Sequence, residues 1–329
     1  MKKRKFVFLL VAMAGFCAFS APVLAKNFRI GLITPPSHVW TQAAKAFADD
    51  LKSDTGGAHT AAVFDSGQLG NEAQMLQQLQ TGALDMAFLT NAEFANKSPN
   101  FAALYAPYLV RDVTQSRALL RSETAVRLLD DLPRVAGVVG IGYGMGGMRQ
   151  MLSRSAVETV ADLKGRKIRV TPLDPIRDFF IELGAAPTPL PLPAVYDALS
   201  NGQVDAIDMD LEVIMGMKFS DLANTILISK HMMWPMVGVV SARVWKTLSP
   251  EDQKQIAELM NKRLGETMDA YLVKEAVWDE EVRATGKTVK DVDAEFFRQA
   301  VDGWEKKWSA RSPALADLRK AAASLSGGN

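Results

Sequence analysis

The order in which short apolar runs and amphipathic stretches alternate narrows the fold of this chain more than any other feature. An apolar run over 28–33 stops at Thr34-Pro35-Pro36. Ala43, Ala44, Phe47, Ala48 and Leu51 then recur at helical spacing until Gly56-Gly57. A second strand-like run over 60–64 leads through Ser66-Gly67-Gln68-Leu69-Gly70 into a stretch over 72–80 with Met75, Leu76 and Leu79 on one face. Gly82 closes that stretch, and 84–89 reads as a buried strand. Strand, helix, strand, helix, strand in this order predicts a parallel sheet covered by helices, because a parallel crossover needs an element that returns the chain to the same edge.

The pattern recurs further on. Strands are expected over 135–143 and 167–170, a helix from Pro175 closed by Gly184, a helix over 193–200, and strands over 204–208 and 236–240. Proline inside a helix start and glycine past its end fit the different needs of the two termini. From Ser249-Pro250-Glu251-Asp252 onward, Ile256, Met260, Leu264, Met268 and Leu272 repeat toward Gly286 and predict a long helix with room for one break. Its heptads are not sustained, which argues against a coiled coil. Two shorter helices over 294–308 and 313–325 finish the chain. Two α/β units follow.

The first residues set the compartment. Lys2, Lys3, Arg4 and Lys5 precede an apolar stretch over 6–19, and Val23 and Ala25 are small residues at the two positions a signal peptidase reads. The apolar stretch falls short of the roughly 20 residues a membrane span needs. Residues 1–25 are therefore expected to be a cleaved secretion signal, with a periplasmic mature chain. A lipid anchor on Cys17 is the competing reading, and the bulky Phe16 before it argues against that. Cys17 is the single cysteine of the sequence, so the mature protein must draw its stability from its core rather than from disulfides. Cleavage removes four basic residues and no acidic one, turning a net charge of +1 into about −3. No basic footprint for nucleic acid remains.

Catalytic constellations are missing. His38, His59 and His231 are far apart without ligand spacing, and no serine sits in a Gly-x-Ser-x-Gly elbow. Neither a metal nor a cofactor is expected. Gly140, Gly142, Gly144, Gly146 and Gly147 follow a strand but lead to Arg149 and Met151 without the helix and acidic partner of a dinucleotide site. A strand end that bends where two domains meet fits the run better. Arg169 lies inside the apolar strand Lys167-Ile168-Arg169-Val170, and Arg149 just past the glycines. A guanidinium cannot escape burial by losing its proton, so each arginine needs an anion. A ligand carboxylate held by two parallel hydrogen bonds meets that need, and so does an Asp or Glu of the fold.

Several segments resemble the substrate-binding proteins of tripartite ATP-independent periplasmic (TRAP) transporters, the DctP family. They are Gly67-Gln68-Leu69-Gly70, Gly82-Ala83-Leu84-Asp85-Met86, Asp162-Leu163-Lys164-Gly165-Arg166-Lys167-Ile168-Arg169-Val170, Leu183-Gly184-Ala185 with Pro187, and Val195-Tyr196-Asp197-Ala198-Leu199 with Gly202 and Val204-Asp205. His231, Trp245 and Leu248-Ser249 continue the match. The resemblance implies a periplasmic binding protein-like α/β fold, with two α/β domains around a ligand cleft and a long C-terminal connecting helix. Domain I is expected over 26–146 plus 235–274, and domain II over 147–234 plus 275–329. It further implies a monomer that binds a small carboxylate, without catalysis, and delivers it to a small and a large membrane subunit.

Carried over residue by residue, Arg169 is the implied carboxylate ligand and Arg149 a second arginine beside it. Met209 stands where the family has an asparagine that touches the ligand, within Asp205-Ala206-Ile207-Asp208-Met209-Asp210, which makes that side of the cleft more apolar. Trp234 could narrow the pocket, although core packing would explain Trp234 and Met209 equally well. Asp208, Asp210 and the Thr90 hydroxyl are expected to meet ligand hydroxyls. Trp40 is either an aromatic wall or a packing residue at a helix start. A hydroxylated sugar acid is the expected ligand; the alternatives are a keto acid or a more apolar carboxylate in the same role, or a sensory binding protein that delivers the ligand to a receptor.

Overall fold

A computed structural model describes residues 25–325 of the chain. The expected secretion signal lies outside the described residues apart from Ala25. Ten strands form one sheet: β1 (Lys26–Gly31), β2 (His59–Phe64), β3 (Met86–Thr90), β4 (Val138–Ser153), β5 (Lys167–Val170), β6 (Ala186–Pro189), β7 (Ala206–Asp210), β8 (Thr225–Ile228), β9 (Met233–Ser241) and β10 (Thr288–Asp291). The order across the sheet is β2-β1-β3-β9-β4-β7-β5-β6, with β8 on β4 and β10 on β8. β1 pairs parallel with β2 and β3, and β5 parallel with β6 and β7, as the crossover pattern demands. β4 and β9 run antiparallel to each other and join the two parallel sets. β4 reaches both: its first part pairs with β9, and its last five residues with β7.

β4 corrects the expectation of a strand over 135–143. The strand continues through the glycine run for 16 residues, and the glycines serve packing rather than termination. A Cβ at Gly146 would stand 2.7 Å from Trp234 and 2.9 Å from Trp40. On the neighbouring strand, one at Gly238 would stand 2.7 Å from Leu264 of the long helix. The pairing of β4 with β9 slips between Met145 and Met148, and Gly147 takes φ +77° there, a conformation that only glycine adopts without strain. Gly147→Ala would also drive its methyl to 2.8 Å from a Glu275 oxygen. The variant is expected to lose about 1–3 kcal/mol of stability, read as a lowered urea midpoint.

The helix Val39–Asp54 buries Val39, Trp40, Ala43, Ala44, Phe47 and Leu51 against the sheet. The helix Glu72–Thr81 opens with a reciprocal cap in which Asn71 and Gln74 bond each other's backbone, and ends at Gly82 in the left-handed conformation. The long helix Pro250–Arg283 is uninterrupted over 34 residues, about 51 Å at 1.5 Å per residue. Ile256, Met260, Leu264 and Met268 are buried as expected, but Leu272 is exposed and Tyr271 and Glu275 are buried instead. The reason is the change of partner: past Met268 the helix leaves the apolar face of β4 and β9 and meets polar groups around Gly147 and Glu212. Strands β6, β8 and β10 and the helical stretch between β3 and β4 carry no expectation from sequence. Each of those strands has four residues, too short for a readable alternation.

Candidate functional site

The strand ends and the loops that follow them enclose a cavity of about 210 Å³. Arg149 of β4, Arg169 of β5, Met209 and Asp210 of β7 and Trp234 of β9 line it, and the other half of the sheet adds Thr34, Trp40, Glu72, Thr90 and Glu93. All seven expected site residues meet there. They meet because parallel strands carry their C-terminal ends to one edge, where the crossing strands β4 and β9 also pass.

The two arginines do different things. Arg149 is 1 % exposed. Its Nε and Nη2 donate to the two carboxylate oxygens of Asp208 at 3.0 and 2.9 Å, and Nη2 also donates to the Asp208 carbonyl. Nη1 donates to Asp210 at 3.3 Å and reaches the Met209 sulfur at 3.8 Å. The guanidinium stacks on the Trp234 ring at 4.1 Å. Its charge is thus answered within the fold, and the weak Met209 contact is the one a ligand oxygen could replace. The strand register explains the pairing, since Arg149 stands opposite Asp210 and Met151 opposite Asp208.

Arg169 is equally buried and has no carboxylate within ion-pair distance among the described residues. Its Nε and Nη2 donate to the Leu190 carbonyl at 2.9 and 2.7 Å, and Nη1 to the Asp208 carbonyl at 3.2 Å. Three of five N–H groups are thereby used, leaving one on each Nη, the number that a carboxylate's two oxygens take up. Burial, and then the like charge of Arg149, push its pKa down to about 9. A cation held at such a cost favours an incoming anion.

The remaining expectations divide. Trp40 donates its indole N–H to the Met145 carbonyl at 2.8 Å and faces Trp234 across Gly146, so both rings are cavity wall and packing at once. Asp210 accepts from the Val213 amide and from Arg149, and still lines the cavity. The Thr90 hydroxyl donates to Glu72 at 2.9 Å, which leaves its lone pairs as acceptors. Asp208 is corrected: it is fully buried under Arg149 and lies 3.3 Å from His231 Nε2, outside the cavity lining, and no ligand hydroxyl reaches it. Burial would raise its pKa, but Arg149 and His231 outweigh that and hold the carboxyl well below the usual range.

Sequence reasoning missed Glu72, Glu93, His38 and Glu212. Glu72 accepts from the Thr90 amide at 2.6 Å as well as from its hydroxyl. Burial, and then the nearby Glu93, raise its pKa to about 8. His38 caps its helix by accepting from the Trp40 amide at 3.1 Å and lies 3.2 Å from Glu212. Burial, then Lys274, lower His38 to about 3, so it stays neutral. Burial raises Glu212 to about 7. A signal for Glu72 was present, an acid at the first position of a helix, but its burial against β3 was not legible.

Glu275 is buried against Gly147 with neither oxygen in a well-aligned hydrogen bond, and burial followed by Asp210 raises it to about 8. The folded state therefore binds its proton more tightly than the unfolded chain, near 4.5. That stability is fully present below pH 4.5 and is lost as pH rises through 8. Thermal melts of the wild type and Glu275→Gln at pH 5 and pH 8 are expected to show the wild type losing more on the alkaline side, by on the order of 2–4 kcal/mol.

The 2,3-diketo-L-gulonate-binding periplasmic protein of Escherichia coli is 29 % identical over 327 residues, 98 % of both chains. A TRAP periplasmic solute-binding protein from Bradyrhizobium sp. BTAi1, solved with α/β-D-galacturonate, is 31 % identical, covers 90 % of this chain and 99 % of its own, and superposes with a TM-score of 0.84. A third, from Bordetella bronchispeptica, with ligand density interpreted as pantoate, is 27 % identical over the same shares of each chain at a TM-score of 0.84. The family model for bacterial extracellular solute-binding proteins of family 7 (DctP) matches residues 30–311, and with a sheet, crossing strands and cavity of this form the chain belongs to that family.

Proposed function

We propose that this protein is the periplasmic solute-binding component of an ion-gradient-driven TRAP transporter, and that it captures a hydroxylated sugar acid by its carboxylate without chemical change. The observation that carries the reading is Arg169, a buried guanidinium with two free N–H groups and no carboxylate partner at the cavity. Arg149, fixed by Asp208, holds the adjacent wall and offers the ligand the N–H now on Met209. Capture is followed by closure of two domains, 26–146 plus 235–274 and 147–234 plus 275–329, about the slip in β4 at Gly147. The monomer then presents the closed surface to a small and a large membrane subunit.

The galacturonate held by the Bradyrhizobium relative supports a sugar acid. A keto acid or more apolar carboxylate is the second reading, favoured by Met209 and Trp234 in the lining and by the diketogulonate and pantoate relatives. A thermal-shift panel of uronates, aldonates, keto acids and pantoate on the purified protein decides between them. The largest shift is expected from a uronate or aldonate; stabilisation by cations alone, or by no acid, would overturn the carboxylate reading.

A further inference from the structure

The cavity is electrically lopsided. Arg169 faces it from β5, while Glu72 and Glu93 line it from the other half of the sheet, next to the end of β3. Arg149 does not balance these acids, because Asp208 and Asp210 already hold its charge. Room exists for one anionic group, and it is at Arg169.

We propose that Glu72 and Glu93 are specificity-determining residues that restrict the site to monocarboxylates with an uncharged, hydroxyl-bearing remainder and exclude a second carboxylate. The inference rests on the reading of Arg169 as the carboxylate anchor and adds what the opposite wall does. Both Glu72 oxygens accept from Thr90, at 2.6 and 2.9 Å, so its carboxyl is held in one orientation beside the cavity. Glu93 makes no hydrogen bond or ion pair among the described residues and is half-buried in the same lining. Burial raises both groups, Glu72 to about 8. With its proton on, the Glu72 carboxyl donates one hydrogen bond and accepts others, which matches a hydroxyl that does the same. A second ligand carboxylate placed there would share a dry space with two acids, and the three groups fit only while protons are retained among them, a cost that an uncharged hydroxyl does not carry.

Titration calorimetry with acid pairs on one carbon skeleton tests this: galacturonate against galactarate, and gluconate against glucarate. For the wild type, the bound monoacid is expected to exceed its diacid by at least about 100-fold in affinity, and in Glu72→Gln/Glu93→Gln that ratio is expected to fall below about tenfold. Glutamine keeps the acceptor for the Thr90 amide; Glu93→Gln alone, expected to lower the ratio in the same direction, serves if the double variant does not fold. A diacid bound by the wild type as tightly as its monoacid overturns the proposal, and loss of that binding in Arg169→Met would show that the anchor survives it. An unchanged ratio in the variants overturns the role of these two residues. No binding by any acid overturns the anchor reading and this inference with it.

Discussion

Arg169→Met is expected to abolish stabilisation by the ligand while leaving the unliganded protein folded. The two effects separate because Arg169 carries no ion pair. Its removal leaves the Leu190 carbonyl without its two guanidinium donors, a cost of about 1–3 kcal/mol, while the Asp208 carbonyl keeps the donor from Arg149. It also removes a buried charge whose desolvation costs several kcal/mol. These oppose each other, so the unliganded melting midpoint should move by only a few degrees. The ligand has no such compensation. Losing two charge-assisted hydrogen bonds at about 1.5–3 kcal/mol each predicts at least about a 100-fold loss of affinity. Arg169→Lys should recover only part of it, because an ammonium supplies a point charge and not a fork. Calorimetry on the three proteins checks both halves, and an undiminished thermal shift in the methionine variant would remove Arg169 from the site.

Asp208→Asn is expected to do the reverse, damaging the fold first. Asp208 takes a two-pronged ion pair from Arg149 and lies against His231, all three buried. Taking away one member of a buried pair leaves its partner's charge uncompensated, a loss of about 3–5 kcal/mol. For a chain of this size that is a fall of about 5–8 °C in melting midpoint. Because the Asp208 pKa is held low, its stabilisation is present above the unfolded carboxylate value and fades as pH falls through the folded one, so the gap between wild type and variant should narrow in acid. If Asp208→Asn melts with the wild type at neutral pH, the pair is not structural.

Both predictions turn on a distinction that the chain read as a string could not make. Arg149 and Arg169 look alike in sequence, each a cation in a largely apolar stretch, and both are expected at the ligand carboxylate. Only the pairing of β4 with β7, which sets Arg149 opposite Asp210 and beside Asp208, separates the structural arginine from the one that faces the cavity without an anion. Asp208, read as a hydroxyl partner, is unavailable for the same reason. Glu72 and Glu93 were overlooked because an acid near a helix start is ordinarily solvated; the approach of that helix to β3 buries Glu72 on Thr90.

Local pattern was enough for the α/β class, the course of the main strands and helices, and the need of Arg149 and Arg169 for an anion; the other five residues at the cavity came with the family resemblance. The class, the elements and the two arginines follow from local periodicity, capping residues and the cost of burying arginine, which neighbours along the chain already express. The tertiary structure alone decided that β4 runs on through the glycines, that Leu272 faces solvent, and which arginine is free for a ligand. Those outcomes depend on which strand lies beside which and on what the long helix meets along its length. They are contacts between residues tens to hundreds of positions apart, set by packing and register, with no counterpart in local pattern.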